Sequence, residues 1–208
     1  MIGEARVLEA SDEFLPRVID AAIEAIANNA DLLGDLDRAV GDGDHGINML
    51  RGFSAIAAQR DELVALPLAA ALEAMGKILV MNVGGASGPL YGSLLMAMGK
   101  ADGSIDAGVA AVKKRGKSDR GEKTMLDVLI PVQLAWAEAC KESLPVPQAL
   151  ERLRQAAKAG LESTRPLMAT KGRASFLRER SIGHLDPGAY SSFLLVDAIC
   201  GAYSKDEP

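Results

Sequence analysis

Apolar residues recur at three- and four-residue steps along most of the chain. Phe14, Leu15, Val18, Ile19, Ala22, Ile23 and Ile26 form the stripe of an opening helix, and Leu50, Phe53 and Ile56 keep register in a second over about 47–59. The same spacing predicts helices over 67–83, 89–101, 105–114, 124–142, 146–162 and 187–203, about eight in all. Pro67, Pro89, Pro147 and Pro187 fall at or near helix starts, where a missing N–H costs little, whereas Pro131 falls inside one and is expected to kink it. No stretch shows the period-two alternation of a strand. The expected fold is all-α, one domain over residues 1–208, without an internal repeat or low-complexity linker.

Polar and glycine-rich sequence collects between these helices in the segments 35–46, 82–92, 115–123 and 170–188. In an up-and-down helical bundle, loops emerge at two ends, so these segments can share one rim. A composite site there is the economical expectation.

Composition narrows the function classes. With 208 residues, 49% hydrophobic and 25% charged, the chain can bury a substantial core. A formal net charge of −5 gives no reason to expect a nucleic-acid partner or an anionic membrane. Met1-Ile2-Gly3-Glu4 lacks the basic start of a leader, and no apolar run is of membrane length, so a cytoplasmic location is expected. Cys140 and Cys200 lie in apolar helical patterns and are expected to be buried, reduced core residues. With only His45 and His184 beside them, no close zinc-ligand pair exists.

The segment Leu36-Asp37-Arg38-Ala39-Val40-Gly41-Asp42-Gly43-Asp44-His45-Gly46-Ile47-Asn48 carries the most chemistry. Asp37, Asp42 and Asp44 offer hard oxygen ligands suited to Mg²⁺ or Mn²⁺, while Gly41, Gly43 and Gly46 permit sharp turns and close approach to a ligand. A solvated turn or helix cap uses the same residues. An EF-hand is excluded, because counting from Asp42 puts Gly46 and Phe53 where oxygen ligands belong.

The second segment, Asn82-Val83-Gly84-Gly85-Ala86-Ser87-Gly88-Pro89, breaks directly into a helix. Free N–H groups and a helix dipole there favour a phosphate, and small residues for tight helix packing explain it equally well. The third, 113–124, carries six basic residues, most simply a solvated helix end. Its Gly116 to Thr124 spacing is not a Walker A motif, since Glu122 stands where the lysine should follow Gly121 and no strand precedes it. The fourth mixes arginines, suited to bidentate phosphate contacts, with His184 and with Asp186, a candidate N-cap before Pro187. Together, carboxylates, glycine-rich backbone and cationic loops are the parts that hold a nucleotide's phosphates bridged by Mg²⁺.

Four co-linear motifs go further: Gly41-Asp42-Gly43-Asp44-His45-Gly46, the run Gly84 to Gly92, Gly121-Glu122-Lys123-Thr124-Met125-Leu126-Asp127, and Gly172-Arg173-Ala174-Ser175 through Ser181-Ile182-Gly183-His184-Leu185-Asp186-Pro187-Gly188. The set resembles the nucleotide-binding L subunit of dihydroxyacetone kinase, in order across nearly the whole chain. That resemblance implies an eight-helix antiparallel barrel with ADP and two Mg²⁺ at one rim. It implies that bound ADP accepts phosphate from a phosphohistidine of an M subunit of the phosphotransferase system, and that the phosphate passes to dihydroxyacetone held on a histidine of a K subunit. Single-chain relatives use ATP directly behind a K-like domain; with none preceding it here, a separate subunit is expected.

By the same resemblance, Asp37, Asp42 and Asp44 match metal ligands. His45, Gly46, Ile47, Asn48, Ala86 and Ser87 match the surroundings of the phosphates, and Gly116, Met125, Arg173, Asp186, Pro187 and Gly188 match further nucleotide contacts. Glu122 stands for a usual Asp, Phe176 for a usual Tyr, and Arg178 for an expected Gly, which matters if that backbone has positive φ. Phosphoryl transfer then needs no nucleophile in this chain, with Arg173 as the catalytic charge-neutralising group. The rival readings are an ATP-exchanging kinase subunit for dihydroxyacetone or a related ketose, a Mg²⁺-dependent phosphohydrolase, and a binding module that carries lipid or partners a regulator.

Overall fold

A computed structural model describes residues 14–204; the Met1 to Glu4 segment lies outside the described residues. The helices are α1 (Phe14–Asn28), α2 (Ala30–Val40), α3 (His45–Ala57), α4 (Arg60–Val64), α5 (Leu68–Asn82), α6 (Ser87–Lys100), α7 (Ile105–Gly116), α8 (Leu126–Lys141), α9 (Val146–Ser163) and α10 (Pro187–Ser204), with a 3-10 stretch, Arg173–Ser181, before α10. No strand occurs among the described residues. None of their helices is long and apolar enough to cross a membrane.

Eight of these helices close a ring. α1 packs on α3, α3 on α5, and α5 to α10 follow one another as neighbours until α10 returns to α1. The amphipathic stripes explain the closure: Ile19 and Ile26 of α1, Met49, Phe53 and Ile56 of α3, Leu72, Met75 and Leu79 of α5, and Leu126 and Leu129 of α8 share one buried core. A smaller cluster joins Val128 and Val132 of α8 to Ala157 and Leu161 of α9 and Ala189 of α10.

The expected count of eight helices is corrected, since ten α-helices and one 3-10 stretch are present among the described residues. The two extra α-helices are α2 and α4. In α2, only Leu33, Leu36 and Val40 mark an apolar face among Asp31, Asp35, Asp37 and Arg38, so the segment reads as a charged loop. The loop expected over 35–46 therefore shrinks to 41–44, and Asp37 sits on the last turn of a helix. α4, at five residues, is too short to show a period. A second correction concerns Cys140, which is exposed on α8, while Cys200 is buried as expected.

The helix α8 runs through Pro131 without a break. The missing N–H leaves the Asp127 carbonyl without its helical donor. Gly160 of α9 packs against that oxygen: a Cβ there would stand 2.3 Å from it and 3.0 Å from the Cα of Val128. Gly160→Ala should therefore destabilise the fold by about 1–3 kcal/mol through overpacking, read as a lowered melting temperature. An unchanged melting temperature would contradict this account of the α8–α9 contact.

Candidate functional site

One end of the ring gathers the N-termini of α3, α6, α8 and α10, together with the chain leaving α2, α5 and α7, around a cleft of about 480 Å³. A helix N-terminus carries a partial positive charge and N–H groups without helical partners, some of which side chains take up here, as Asp37 does for His45 and Asp186 for Ala189. Four of them facing one opening make it receptive to anions.

Between α2 and α3, Asp37, Asp42 and Asp44 each place a carboxylate oxygen within 4.8 Å of the others. Local backbone explains the cluster. Gly43 turns the chain at φ 80°, and Gly41 passes so close to Asp37 that a Cβ would lie 2.4 Å from its Oδ1. The His45 N–H donates to Asp37 Oδ2 at 3.1 Å, so Asp37 serves the first turn of the next helix. The donor set is all carboxylate oxygen, which fits a hard divalent cation. Across the mouth, Arg173 forms an ion pair with Asp42.

His45 is 7% exposed and bridges three helices. Its Nδ1 is 3.1 Å from Ser87 Oγ on α6, and its Nε2 is 3.0 Å from Ser191 Oγ on α10. Burial lowers its pKa, while the Asp37 and Asp44 carboxylates and the Pro187 carbonyl oppose that shift. Behind it, the Tyr91 hydroxyl lies 2.7 Å from Ser191 Oγ and 2.8 Å from Ser192 Oγ. Burial pushes the Tyr91 pKa up to about 12, so the phenol keeps its proton.

The third and fourth loops are held by buried charge. Asp127 accepts from the N–H groups of Gly121 at 2.6 Å and Thr124 at 2.8 Å, which fixes the turn into α8. Lys123 is only 1% exposed. Its ammonium donates to the carbonyls of Thr164, at the end of α9, and His184, just before α10. Lys123 is thus no part of the solvated basic face, unlike Lys113, which pairs with Asp119 at 2.7 Å. Asp186 caps α10, accepting from the Ala189 N–H at 2.7 Å. Its burial pushes the carboxyl pKa up to about 7, against the pull of the Ala189 N–H and Lys123. Lys171 ties loop to loop by donating to the Lys117 carbonyl at 2.6 Å, with Glu122 at 3.3 Å.

Of the residues singled out in the sequence, Asp37, Asp42, Asp44, His45, Asn48, Ala86, Ser87, Gly116, Met125, Arg173, Asp186, Pro187 and Gly188 all line the cleft. Gly46 and Ile47 do not. Gly46 is buried against α2, where a Cβ would meet the Ala30 carbonyl at 1.9 Å, and Ile47 is 60% exposed. Tyr91, Lys123 and Thr124, to which no sequence pattern assigns a role, also line the cleft. Lys123 carried no signal, being one of six cations within eleven residues; its burial comes only from tertiary packing. The tight-packing reading of the second segment holds for its helical part. Gly88 and Gly92 allow α6 to lie tightly on α5, where a Cβ would fall 2.3 Å from the Val83 carbonyl and from Val80 Cγ2, respectively, while Gly84 and Gly85 face the cleft.

The DAK2 domain family matches residues 39–201. The "PEP-dependent dihydroxyacetone kinase 1, ADP-binding subunit DhaL" of Listeria innocua is 46% identical over 187 residues, covering 85% of this chain and 89% of the relative. The subunit of the same description from Escherichia coli is 36% identical over 188 residues, covering 85% and 90%. Among solved structures, the dihydroxyacetone kinase from C. freundii in complex with AMP-PNP and Mg²⁺ superposes with a TM-score of 0.72 at 25% identity, over 97% of this chain and 36% of that one.

Arg178 sits at φ 52°, ψ −124° in the middle of the 3-10 stretch, a backbone region that disfavours any residue with a Cβ. Arg178→Gly should relieve that strain and stabilise the fold by about 1 kcal/mol, measured as a rise in denaturation midpoint. A fall would show that the arginine side chain makes up for its backbone.

Proposed function

The chain belongs to the DAK2 domain family, and from that membership we infer that it is the ADP-binding subunit of a phosphoenolpyruvate-dependent dihydroxyacetone kinase, a phosphotransferase. The observation that carries the reading is the meeting, at one cleft, of three clustered carboxylates with four helix N-termini. A cleft built for anions that also holds an anionic cluster is poorly balanced until a cation and an anion enter together. A metal-chelated nucleotide is such a ligand.

Asp37, Asp42 and Asp44 would hold Mg²⁺, with two ions in the full complex. When bound, Mg²⁺ neutralises phosphate charge and orients the phosphoryl group. The first-turn N–H groups of α3 and α6, with Asn48, Ala86 and the Ser87 hydroxyl, would bind the phosphates. Pro89, Leu90, Val112 and Met125 supply an apolar wall for the base, beside Gly116 and the turn Asp186 to Gly188. Arg173 is the catalytic group of this chain: released from Asp42, its guanidinium would neutralise charge developing on the transferred phosphoryl.

The acceptor hydroxyl and its base belong to a K subunit carrying the ketose, and the phosphate comes from a phosphohistidine of an M subunit. Retained ADP is thus recharged in place by the M subunit, in the cytoplasm, on a chain that acts as one domain. The free-exchange, hydrolase and carrier readings are not favoured by relatives described as ADP-binding subunits.

Denaturing the purified protein should release ADP or ATP on chromatography. In reconstitution, the chain alone should form no ketose phosphate, because the acceptor is not positioned without its carrier. With K subunit present, sustained turnover should require phosphorylated M subunit and not free ATP. Turnover driven equally by free ATP would overturn the retained-ADP reading, and turnover by the isolated chain would overturn the partnership.

A further inference from the structure

For a nucleotide, the cleft has two ends on different supports. The phosphate end rests on α3 and α6, whereas the base end rests on two stretches from different loops: Met125, on the turn into α8, and Asp186 to Gly188, at the start of α10. These stretches meet, since a Cβ on Gly188 would stand 3.8 Å from Met125 Cβ. They are far apart in sequence, so a tertiary tie has to set their spacing.

Lys123 supplies that tie. It stands just before Met125 with its backbone at φ 59°, a region that disfavours a residue with a Cβ. Such a backbone persists only where its surroundings fix it. Here the buried side chain does so. Its ammonium donates to the Thr164 carbonyl at 2.6 Å, at the partly negative C-terminal end of α9, and to the His184 carbonyl, just before Asp186. Thr164, itself fully buried, completes the link: its hydroxyl accepts from the Asp186 N–H at 3.1 Å and donates to the Leu161 carbonyl at 2.7 Å. One ammonium and one hydroxyl thus pin residues 184 and 186, from which the α10 wall of the cleft continues. Further ties between the third and fourth loops, from Thr170 to Glu122 and from Lys171 to the Lys117 carbonyl, lie nearer the surface and reach the fourth loop well before Asp186.

We propose that Lys123 and Thr164 are a pair of positioning residues that fix the spacing between Met125 and the Asp186 to Gly188 turn, and so set affinity for the nucleoside part of the ligand without acting on its phosphate end. The proposal rests on the nucleotide-binding function above and deepens it. Both residues act through the backbone they hold.

Titration calorimetry on the nucleotide-stripped full chain, comparing Mg-ADP with Mg-pyrophosphate, tests it, because pyrophosphate presents the phosphate end of the ligand alone. Lys123→Met keeps the length of the side chain and removes the ammonium. It should weaken Mg-ADP binding by about tenfold, the scale of a hydrogen bond to a charged group, and Mg-pyrophosphate binding by no more than about twofold, as for an independent site. Thr164→Val removes the hydroxyl but keeps the carbonyl that Lys123 uses, and should show the same selective loss, while Thr164→Ser should retain the wild-type ratio. If Lys123→Met fails to fold, as read by circular dichroism, the two Thr164 variants decide. Equal losses for both ligands would mean that the pair acts through the fold at large and would overturn the proposal, as would no loss for either. Wild-type protein that binds neither ligand would overturn the nucleotide-binding function itself. Wild-type protein that binds Mg-pyrophosphate as tightly as Mg-ADP would leave that function standing and overturn the proposal.

Discussion

The hydrogen bond from the His45 N–H to Asp37 Oδ2 joins the last turn of α2 to the first turn of α3, and the site depends on it. It exists because α2 and α3 approach to backbone contact. Gly46 lies where any Cβ would meet the Ala30 carbonyl at 1.9 Å and the Gly34 nitrogen at 2.7 Å. That approach folds the chain back within four residues, Gly41 to Asp44, and so brings Asp37, Asp42 and Asp44 together. Gly46 thus acts on the site without lining it.

Charge is the second organising constraint. The carboxylate cluster and the converging helix dipoles each favour a ligand of opposite sign, and the Arg173–Asp42 pair links the two across the mouth. Deeper in, Lys123, Asp127 and Asp186 are buried ionisable side chains whose hydrogen bonds tie the turn before α8 to the end of α9 and the start of α10. Such groups are costly to bury and costly to break once paired, which favours a single geometry at the rim.

Much of this was legible in the chain. The apolar stripes marked the eight helices that close the ring, because each faces the core along one side, as Ile19 and Ile26 do. Prolines 67, 89, 147 and 187 marked their starts. The helix α2 escaped, because its few apolar residues sit among acidic ones, Asp31 and Asp35 in solvent and Asp37 at the rim. The three aspartates were visible as a cluster in sequence because they are close in sequence. Lys123 and the Tyr91–Ser191 contact were not, since residues 100 positions apart meet only once the ring closes. Arg178 was visible only as a departure from an expected glycine, and its positive φ explains why glycine suits that position.

The central claim is that metal and nucleotide bind this rim as one unit. The direct test is Mg²⁺ titration of nucleotide-stripped protein with and without ADP, in the wild type and in Asp44→Asn. The account predicts weak Mg²⁺ binding alone, binding strengthened by at least about tenfold with ADP, and loss of that coupling in Asp44→Asn while helical content is retained. Mg²⁺ and ADP that bind independently, or a coupling unchanged by Asp44→Asn, would contradict it.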